Sequence, residues 1–526
     1  MNFSGNLSRR AWLKSTAILA ALPSLRALAW LPSRAPRSLA QRALRAAAAG
    51  GASYADVRFV RRTEEDLSSR DDHITGVRGG VTYGLGVRVL RHGAFGFAAT
   101  PDVSEAGIDR AVARALAIAE ANEALVLAPV TLAPEPTHRD TWQTPIEKDP
   151  FRVPFARKAQ LLLEVNRAAR GASGGGPLRA VEGFLKGVSE EKSFFSSEGS
   201  ELGQEIFRVD GGYTLSAVDD RSGRFEHRRF PNSAYGAGFE HLERIGLVER
   251  APELARDLRE KLAADTVAPG PRDLVLAADH LWLTIHETIG HSTELDRVLG
   301  DEAGFAGTSF AAPGDLGSLR YGGPLVNFVA DKTTPGGLAT CGYDDDGVET
   351  QRFDLIKHGL LVGFQTTRDQ VGLPGFGKSG RSSGCSYAES WDAVPFQRMP
   401  NVSLVPSATT CSVEDLIAGV QDGIYVQGND SWSIDQQRKN FQFGGDFFWE
   451  IKHGKLTRPL RQIAYQGNTL DFWSKLDGLG DASERRLSGV FNDGKGQPGQ
   501  SNAVSHGTPC ARFRQIDVLD VSSGQR

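Results

Sequence analysis

Residues 286–300 read HETIGHSTELDRVLG, a stretch that places two histidines five positions apart, with Glu287 directly after the first. In the common zinc-protease pattern H-E-x-x-H the two histidines are four apart, because four residues at about 100° each bring both rings onto one helical face. Five residues on an undistorted helix would set His286 and His291 about 140° apart, too far to share one ion. The stretch therefore predicts either two unrelated helical histidines or a metal site on a distorted helix.

Gly290, directly before the second histidine, favours the distorted helix. Glycine permits a kink or a one-residue π-bulge, which would rotate His291 back toward His286, and such bulges are often functional. We expect Asp279 to cap this helix at its start and Gly300 to end it. A helical histidine is commonly just a satisfied polar group, and this is the alternative interpretation. The His-Glu-His combination in a chain with only 11 histidines favours the metal site.

The composition argues against several other classes of protein. A chain of 526 residues with 40% apolar content is long for one hydrophobic core, so we expect two domains. The net charge of -4, with acidic and basic residues interspersed, gives neither a nucleic-acid-binding surface nor a membrane-binding stripe. Four cysteines without a C-x-x-C pair form neither a disulfide framework nor a closed structural zinc site.

The N-terminal segment, residues 1–29, has the features of an export signal. Arg9 and Arg10 precede a modest apolar run that ends in an A-x-A sequence. The run is too short, and too interrupted by Pro23, to serve as a stable membrane anchor. We interpret it as a cleaved twin-arginine signal, which predicts a periplasmic protein. A cytoplasmic protein with an amphipathic N-terminal helix is the alternative.

Hydrophobic periodicity predicts an α+β fold with two domains. Helix and strand patterns mix over residues 37–214, where Ser104 is a good N-cap for one helix, and we assign this part to an N-terminal α+β domain. Residues 215–526 read as a mixed, strand-rich domain that contains the metal-binding helix. The boundary at residue 215 is placed to within about twenty residues.

Two other motifs carry weaker signals. The GRSSG sequence at 380–384 matches the nucleophile turn of serine hydrolases, but it lacks the preceding apolar strand and the following helix, so Ser382 is a distant third hypothesis. The acidic run 344–346 followed by Gly347 suggests a calcium loop, yet position twelve would be Leu355 instead of glutamate. We interpret the run as a solvated turn.

Several motifs in combination carry a family resemblance. They are the H-E-x-x-G-H sequence followed by Glu294 and Asp296, GTSF at 307–310, DDDGVETQRFDLIKHGLLVGFQTTR at 344–368 and GKGQPGQSNAVSHGTPCARF at 494–513. With YADVRFV and GVRVLRHGAFGFA near the N-terminus, the chain resembles the TldD/PmbA family of zinc metallopeptidases over nearly its whole mature length. The resemblance implies an N-terminal α+β domain, a C-terminal catalytic domain, and a dimer that encloses an inner chamber.

Carried over residue by residue, the resemblance makes His286 and His291 zinc ligands and Glu287 the general base. This agrees with elementary chemistry, since a carboxylate beside a zinc site can take the proton of a water that attacks a peptide carbonyl.

The third zinc ligand is where the sequence departs from the family. TldD-like members have a cysteine directly before the terminal Gly-Lys motif, and here Asp493 stands in that place. A carboxylate is an acceptable zinc ligand, so Asp493 is the first choice. The thiolate of Cys510 is the rival, and a degenerate site that holds metal poorly is the remaining option. His506 either supports the transition state or has a structural role in the terminal strands.

Two functions follow as hypotheses. The first is an exported zinc-dependent peptidase that hydrolyses unfolded or flexible peptides inside the chamber of a dimer, either a homodimer or a heterodimer with a PmbA-like paralogue. The second is a non-catalytic partner subunit of such a complex, because the family also has a silent branch that lacks the histidine motif, although this chain keeps it. In both cases we expect no nucleic acid and no stable membrane anchor.

Overall fold

The structure is a computed structural model that describes residues 37–522 apart from 175, 372 and 374–379. The predicted export signal, residues 1–29, lies outside the described residues. Within the described ranges, no helix combines the length and the apolar character needed to cross a membrane.

The first part of the chain alternates long strands with helices. Its elements are α1 (Arg37–Ala49), β1 (Tyr54–Arg70), β2 (His73–Arg91), β3 (Ala94–Thr100), α2 (Glu105–Glu123), β4 (Arg139–Gln143), α3 (Phe155–Ser173), β5 (Leu178–Ser196), β6 (Glu201–Val218), β7 (Phe225–Arg229), α4 (Phe239–Arg244) and α5 (Ala251–Ala263).

The second part is richer in short strands. Its elements are β8 (Gly270–Leu276), α6 (Ala278–Ile285), a π turn (His286–Gly290), a 3-10 turn (His291–Thr293), α7 (Leu295–Leu299), β9 (Phe328–Asp331), β10 (Arg352–Lys357), β11 (Leu360–Leu361), β12 (Ser386–Tyr387), β13 (Phe396–Gln397), β14 (Val402–Leu404), α8 (Val413–Ala418), β15 (Asp422–Gln427), β16 (Trp432–Ile434), β17 (Asn440–Gly444), β18 (Phe447–Lys452), β19 (Lys455–Leu460), β20 (Ile463–Asn468), α9 (Thr469–Ser474), β21 (Leu476–Leu479), β22 (Arg486–Lys495), β23 (Gln500–Thr508) and β24 (Ala511–Asp520).

One sheet organises the first part of the chain. Its strands run in the order β3-β2-β1-β5-β6-β4, with β7 paired to β6. Helices α1 and α2 pack over one end of this sheet, and α3 and α5 pack over the other, each pair closing its own apolar cluster. Ser104 caps α2 as predicted, because its Oγ accepts a hydrogen bond from Gly107 N at 3.1 Å.

The predicted domain boundary at residue 215 falls inside β6. Strand β7 continues the same sheet, and α5 places Leu254 and Leu258 in the cluster that holds Leu185 and Val209 of the sheet. The first structural unit therefore extends to the end of α5. Periodicity detects where helices give way to strands, but it does not reveal which sheet a new strand joins, and that is why the sequence placed the boundary early.

A second, larger sheet organises the rest of the chain. Its order is β16-β17-β20-β24-β8-β15-β18-β19, with β21 paired to β24, and smaller sheets join β11-β10-β9-β14 and β22-β23. The aromatic-rich FQFGGDFFWEI segment forms β17 and β18 and buries Phe441, Phe443 and Phe448 in the main core. The α+β fold class, with a strand-rich C-terminal part, is confirmed.

The chain leaves the second sheet at the end of β8 and turns directly into α6, which leads into the quoted segment 286–300. This helix begins at Ala278, with Ala277 as its N-cap and no side-chain cap, so the expected capping role of Asp279 is wrong. Regular helix is interrupted between α6 and α7, since Glu294 has an extended backbone with ψ of 119°. Gly300 ends the segment in the left-handed region at φ of 89°, as predicted.

Candidate metal centre

The π turn solves the spacing problem of the two histidines. Residues His286–Gly290 form a π turn, in which the N–H of His291 donates to the carbonyl of His286. An i to i+5 hydrogen bond places residues five apart nearly one above the other, as an α-helix does for residues four apart. The two imidazole rings accordingly lie with centroids 4.5 Å apart. The predicted bulge at Gly290 is confirmed.

The flexible end of the Met399 side chain packs closely against the glycine in this turn. A Cβ atom on Gly290 would lie 2.5 Å from Met399 Sδ and 2.7 Å from Met399 Cε, closer than real Cβ contacts allow. The carbonyl of Gly290 accepts a hydrogen bond from Gln365 Nε2 at 2.6 Å, which satisfies one of the groups freed by the irregular turn.

Asp493 completes a group of three donor atoms. Its Oδ1 lies 3.7 Å from His286 Nε2 and 3.6 Å from His291 Nε2. These distances exceed those of hydrogen bonds, but they are close to the separation of about 3.4 Å between two donors that each lie about 2.1 Å from a tetrahedral zinc ion. Two imidazole nitrogens and a carboxylate oxygen also match the donor types of zinc sites. The three side chains therefore fit a zinc ion.

Strand β22 positions Asp493 beside the two histidines. Its pairing with β23 shifts register between Val490 and Asp493, an irregularity of the kind that re-aims a side chain. Arg398 donates to the backbone carbonyl of Asp493 and lies 3.4 Å from its Oδ2, while Oδ1 faces the histidines. Burial raises the pKa of Asp493, and the charge of Arg398 opposes this. A cation at Oδ1 would offset the same cost of burial.

Cys510, the rival third ligand, lies elsewhere. It packs in an apolar cluster with Val275, Leu416 and Ile451, and its Sγ lies 3.7 Å from Glu484 Oε2. Burial raises the pKa of this thiol to about 12, which disfavours the thiolate that a metal requires.

Each candidate histidine ligand is held by a second group through Nδ1. His286 Nδ1 is 2.9 Å from His506 Nε2, and His506 Nδ1 is 2.9 Å from the carbonyl oxygen of Val402. The Trp282 ring stacks on the His506 ring with centroids 6.1 Å apart. Burial lowers the pKa of both His286 and His506 to about 3, so both rings are neutral at physiological pH.

The group that binds Nδ1 of His291 is a carboxylate, that of Glu294. His291 Nδ1 is 2.8 Å from Glu294 Oε2, and the other oxygen of Glu294 lies 3.1 Å from the fully buried Lys495 Nζ. Although burial raises the pKa of Glu294, the charges of Lys495 and Arg297 lower it well below its usual range. Lys495 also reaches Asp296 at 2.8 Å. Asp493 and Lys495 are two positions apart in β22 and so lie on the same face of the strand. One strand therefore supplies both a candidate ligand and the lysine that pairs with Glu294.

Glu287 shares the site with the histidines and has an arginine partner. Donor atoms of His286, Glu287 and His291 all lie within 4.8 Å of one another. Glu287 Oε2 accepts a hydrogen bond from Arg438 Nη1 at 2.6 Å, and Arg438 Nη2 donates to Ala306 O at 3.0 Å. Burial raises the pKa of Glu287 above its usual range, and the charge of Arg438 offsets only part of this effect.

Three consecutive segments of the chain match the three domains described for the PmbA/TldA metallopeptidases. Residues 55–119 match domain 1, 148–262 match the central domain and 269–520 match the C-terminal domain. The chain belongs to this family, the TldD/PmbA metallopeptidases. The gap between the second and third matches follows the end of α5 at Ala263.

Curated TldD/PmbA relatives match over most of their own length. A metalloprotease of Methanothermobacter thermautotrophicus is 28% identical over 88% of this chain and 95% of its own. The TldD homologue of Haemophilus influenzae, named a metalloprotease, is 26% identical over 88% and 92%. A protein of Saccharolobus solfataricus named zinc metalloprotease TldD homologue is 23% identical over 89% and 97%.

Solved structures share the fold at lower identity. A protein of Thermotoga maritima described as a putative modulator of a DNA gyrase aligns with a TM-score of 0.71 and 15% identity, covering 92% of this chain and 99% of its own. TldE from Thermococcus kodakarensis aligns with a TM-score of 0.68 and 15% identity, covering 91% and 100%. At these identities the likeness shows the fold.

Two weaker hypotheses from the sequence are wrong. Ser382 is fully buried, and its Oγ donates to Thr366 O and accepts from Gly384 N, so its hydrogen bonds are to backbone groups and not to a histidine. The acidic run is buried instead of solvated: Asp345 Oδ2 lies 2.8 Å from Lys192 Nζ and Asp346 Oδ1 lies 2.7 Å from Arg88 Nη2. The run joins the second part of the chain to the first sheet.

Sequence reasoning missed Arg438, Lys495 and Arg398. Lys495 belongs to the Gly-Lys motif that was quoted only as a landmark, so a signal for it existed. Arg438 and Arg398 lie in segments without a motif, 151 residues from Glu287 and 95 residues from Asp493, and only the fold brings them to the site.

Proposed function

We propose that this protein is a zinc-dependent peptidase that hydrolyses unfolded or flexible peptides. The observation that carries the proposal is the convergence of His286 Nε2 and His291 Nε2 on Asp493 Oδ1, at 3.7 and 3.6 Å, beside the carboxylate of Glu287. The names of the curated relatives support a metalloprotease, and one of them specifies zinc.

The protein's own groups have distinct roles in this proposal. His286, His291 and Asp493 would hold zinc, which when bound supplies a Lewis acid for the scissile carbonyl and for the attacking water. Glu287 takes the proton of that water and passes it to the leaving nitrogen, a contribution of about 10²–10⁴ in rate. Arg438 holds one oxygen of Glu287 and so fixes the orientation of this side chain before substrate arrives.

Assembly into a dimer with an inner chamber is part of the proposal. Support comes from membership of the TldD/PmbA family and from the shared fold with TldE, which leave open a homodimer or a heterodimer with a PmbA-like paralogue. Such a chamber would admit a flexible peptide and exclude a folded domain. Sedimentation analysis of the purified protein, alone and with such a paralogue, tests the assembly, and a monomer under both conditions would contradict it.

Export to the periplasm is a further element of the proposal, supported by the paired arginines of the N-terminal segment. Replacing Arg9 and Arg10 together by lysine should retain the protein in the cytoplasm with its N-terminus intact. Normal periplasmic levels of that variant would show that the assignment is wrong.

The central experiment measures zinc content and casein digestion on the same samples. The wild-type protein should bind zinc and lose activity with a chelator. Glu287→Gln should retain zinc but lose activity by orders of magnitude, because the amide cannot accept the proton. The matched control is Glu240→Gln, a similarly buried glutamate in α4, which should leave activity within a few-fold.

Two results would count against a peptidase. Full hydrolysis by Glu287→Gln would remove this residue from the mechanism. A wild-type protein that neither binds zinc nor digests casein would instead support the non-catalytic partner subunit.

A further inference from the structure

The hydrogen-bond chain behind His286 has one defined direction. It begins at the carbonyl of Val402, which can only accept a hydrogen bond. His506 Nδ1, 2.9 Å away, must therefore carry the proton and donate it. A neutral imidazole has one donor nitrogen and one acceptor nitrogen, so Nε2 of His506 is an acceptor.

The same logic then fixes the tautomer of His286. Its Nδ1, 2.9 Å from the acceptor nitrogen of His506, must carry the proton. The lone pair of His286 is consequently on Nε2, the atom that lies 3.7 Å from Asp493 Oδ1. A backbone carbonyl fixed in β14 thus determines, through two rings, which nitrogen of His286 faces the metal centre.

We propose that His506 is a positioning residue that sets the zinc affinity of the site by fixing the tautomer and ring orientation of His286. This inference rests on the proposed function, since it takes zinc to be the ion. Without His506, the proton on His286 Nδ1 would have no acceptor in a buried site, and a rotated ring or the other tautomer would compete with zinc binding.

The use of an imidazole instead of a carboxylate behind His286 has an electrostatic consequence. The centre already contains the carboxylates of Asp493 and Glu287, and Glu294 lies behind His291. A neutral acceptor behind His286 provides the orienting hydrogen bond without adding another buried negative charge. Stacking of Trp282 on the His506 ring holds that acceptor in place.

The test compares zinc affinity among variants at His506, by competition with a chromophoric chelator at fixed pH. His506→Leu removes the acceptor and should weaken zinc binding by about 10–100-fold, the usual effect of losing such a partner. His506→Gln offers an amide oxygen near the position of Nε2 and should restore most of the affinity. His506→Asn is too short to reach His286 and should behave like His506→Leu.

His280 provides the matched control. It lies in α6, is fully buried and makes two hydrogen bonds through its ring nitrogens, to Gly428 O at 2.6 Å and to Tyr465 Oη at 2.9 Å. Both His280→Leu and His506→Leu should lower the thermal midpoint, but His280→Leu should leave zinc affinity unchanged. This comparison separates positioning of a ligand from general loss of a buried polar group.

A spectroscopic readout examines the tautomer directly. In zinc-loaded protein labelled with ¹⁵N-histidine, the resonances of His286 should report a proton on Nδ1, and this signature should persist in His506→Gln. Zinc binding by folded His506→Leu and His506→Asn as tight as in the wild type would overturn the inference while leaving the proposed function intact. Absence of zinc from the wild-type protein would overturn both.

Discussion

At the scale of single residues, the candidate centre is defined by what each side chain does with its second polar atom. His291 Nδ1 is hydrogen-bonded to Glu294, and Asp493 Oδ2 lies near Arg398. The other polar atoms, His291 Nε2 and Asp493 Oδ1, therefore face one another. Glu287 accepts a hydrogen bond from Arg438 at one of its two oxygens. Such outer partners matter because a ligand that is free to rotate binds metal more weakly than one held in place.

The first prediction concerns the third ligand. Asp493→Ala should reduce zinc affinity strongly, because two histidines alone seldom hold zinc against water, whereas Cys510→Ser should leave it nearly unchanged. Asp493→Cys should keep or tighten zinc, since thiolate is a softer donor that suits this ion. Chelator competition on all three variants measures these effects. Loss of zinc in Cys510→Ser, with retention in Asp493→Ala, would require the thiolate to be the ligand.

At the scale of secondary-structure elements, the π turn between α6 and the 3-10 turn decides whether the two histidines can act together. It inserts one residue relative to an α-helical H-E-x-x-H turn, and Gly290 accommodates Met399 at the point of insertion. The irregular backbone is supported by Gln365, which donates to the carbonyl of Gly290 and to Thr293 Oγ1.

A second prediction follows from this packing. Gly290→Ala adds a Cβ that overlaps Met399 Sδ, and overpacking of this kind costs about 1–3 kcal/mol. Because the overlap is with the flexible end of Met399, the cost should fall at the lower end of this range, and the strain at His291 should lower zinc affinity by roughly fivefold. The double variant Gly290→Ala, Met399→Val removes the overlapping atoms and should recover most of the affinity.

Gly494, beside Asp493, is the matched control for this experiment, because a Cβ there would meet nothing within 4 Å. Gly494→Ala should bind zinc as the wild type does. An unchanged affinity in Gly290→Ala, or no recovery in the double variant, would contradict a role for this close packing in the site.

At the scale of the whole molecule, the joint between the first sheet and the C-terminal part contains a buried cluster, in which ion pairs within the first sheet meet a tyrosine of the C-terminal part. Glu190 Oε1 lies 2.8 Å from Arg62, 2.7 Å from Arg208 and 2.8 Å from Tyr387 Oη of β12. Burial raises the pKa of Glu190, but the charges of Arg208 and Lys192 outweigh it and hold the pKa well below its usual range. The ionised carboxylate therefore stabilises the joint.

The third prediction gives this joint a pH dependence. Glu190→Gln leaves buried cations uncompensated and should lower the free energy of unfolding at pH 7 by about 3–5 kcal/mol. Because the folded-state pKa is depressed, the contribution is present above the unfolded pKa of about 4.3 and is lost as the pH falls through the folded value. Urea unfolding at several pH values should show the difference between variant and wild type shrinking below that pH.

Glu64→Gln is the control for the joint. Glu64 pairs with the same Arg62 at 2.6 Å, but its side chain is 42% exposed, so its loss should cost under about 1 kcal/mol. Equal effects of the two substitutions, or a Glu190→Gln effect that does not change with pH, would show that the buried carboxylate does not carry the stability of the joint.

The sequence by itself determined the family, the α+β class and the local features that depend on neighbouring residues. The cap at Ser104, the bulge at Gly290 and the helix stop at Gly300 follow from side-chain and backbone preferences within a few positions of the chain. The choice of Asp493 over Cys510 came from its place before a Gly-Lys motif, and the geometry supports that choice.

Only the tertiary structure decided the features that depend on contacts between distant segments. These features are the extent of the first sheet, the burial of the acidic run at 344–346, and the pairing of Arg438 with Glu287 and of His506 with His286. Each depends on contacts between residues more than a hundred positions apart or between segments of different sheets. The physical reason is that periodicity and propensity report a residue's own element, whereas burial and hydrogen-bond partners depend on which element packs against it.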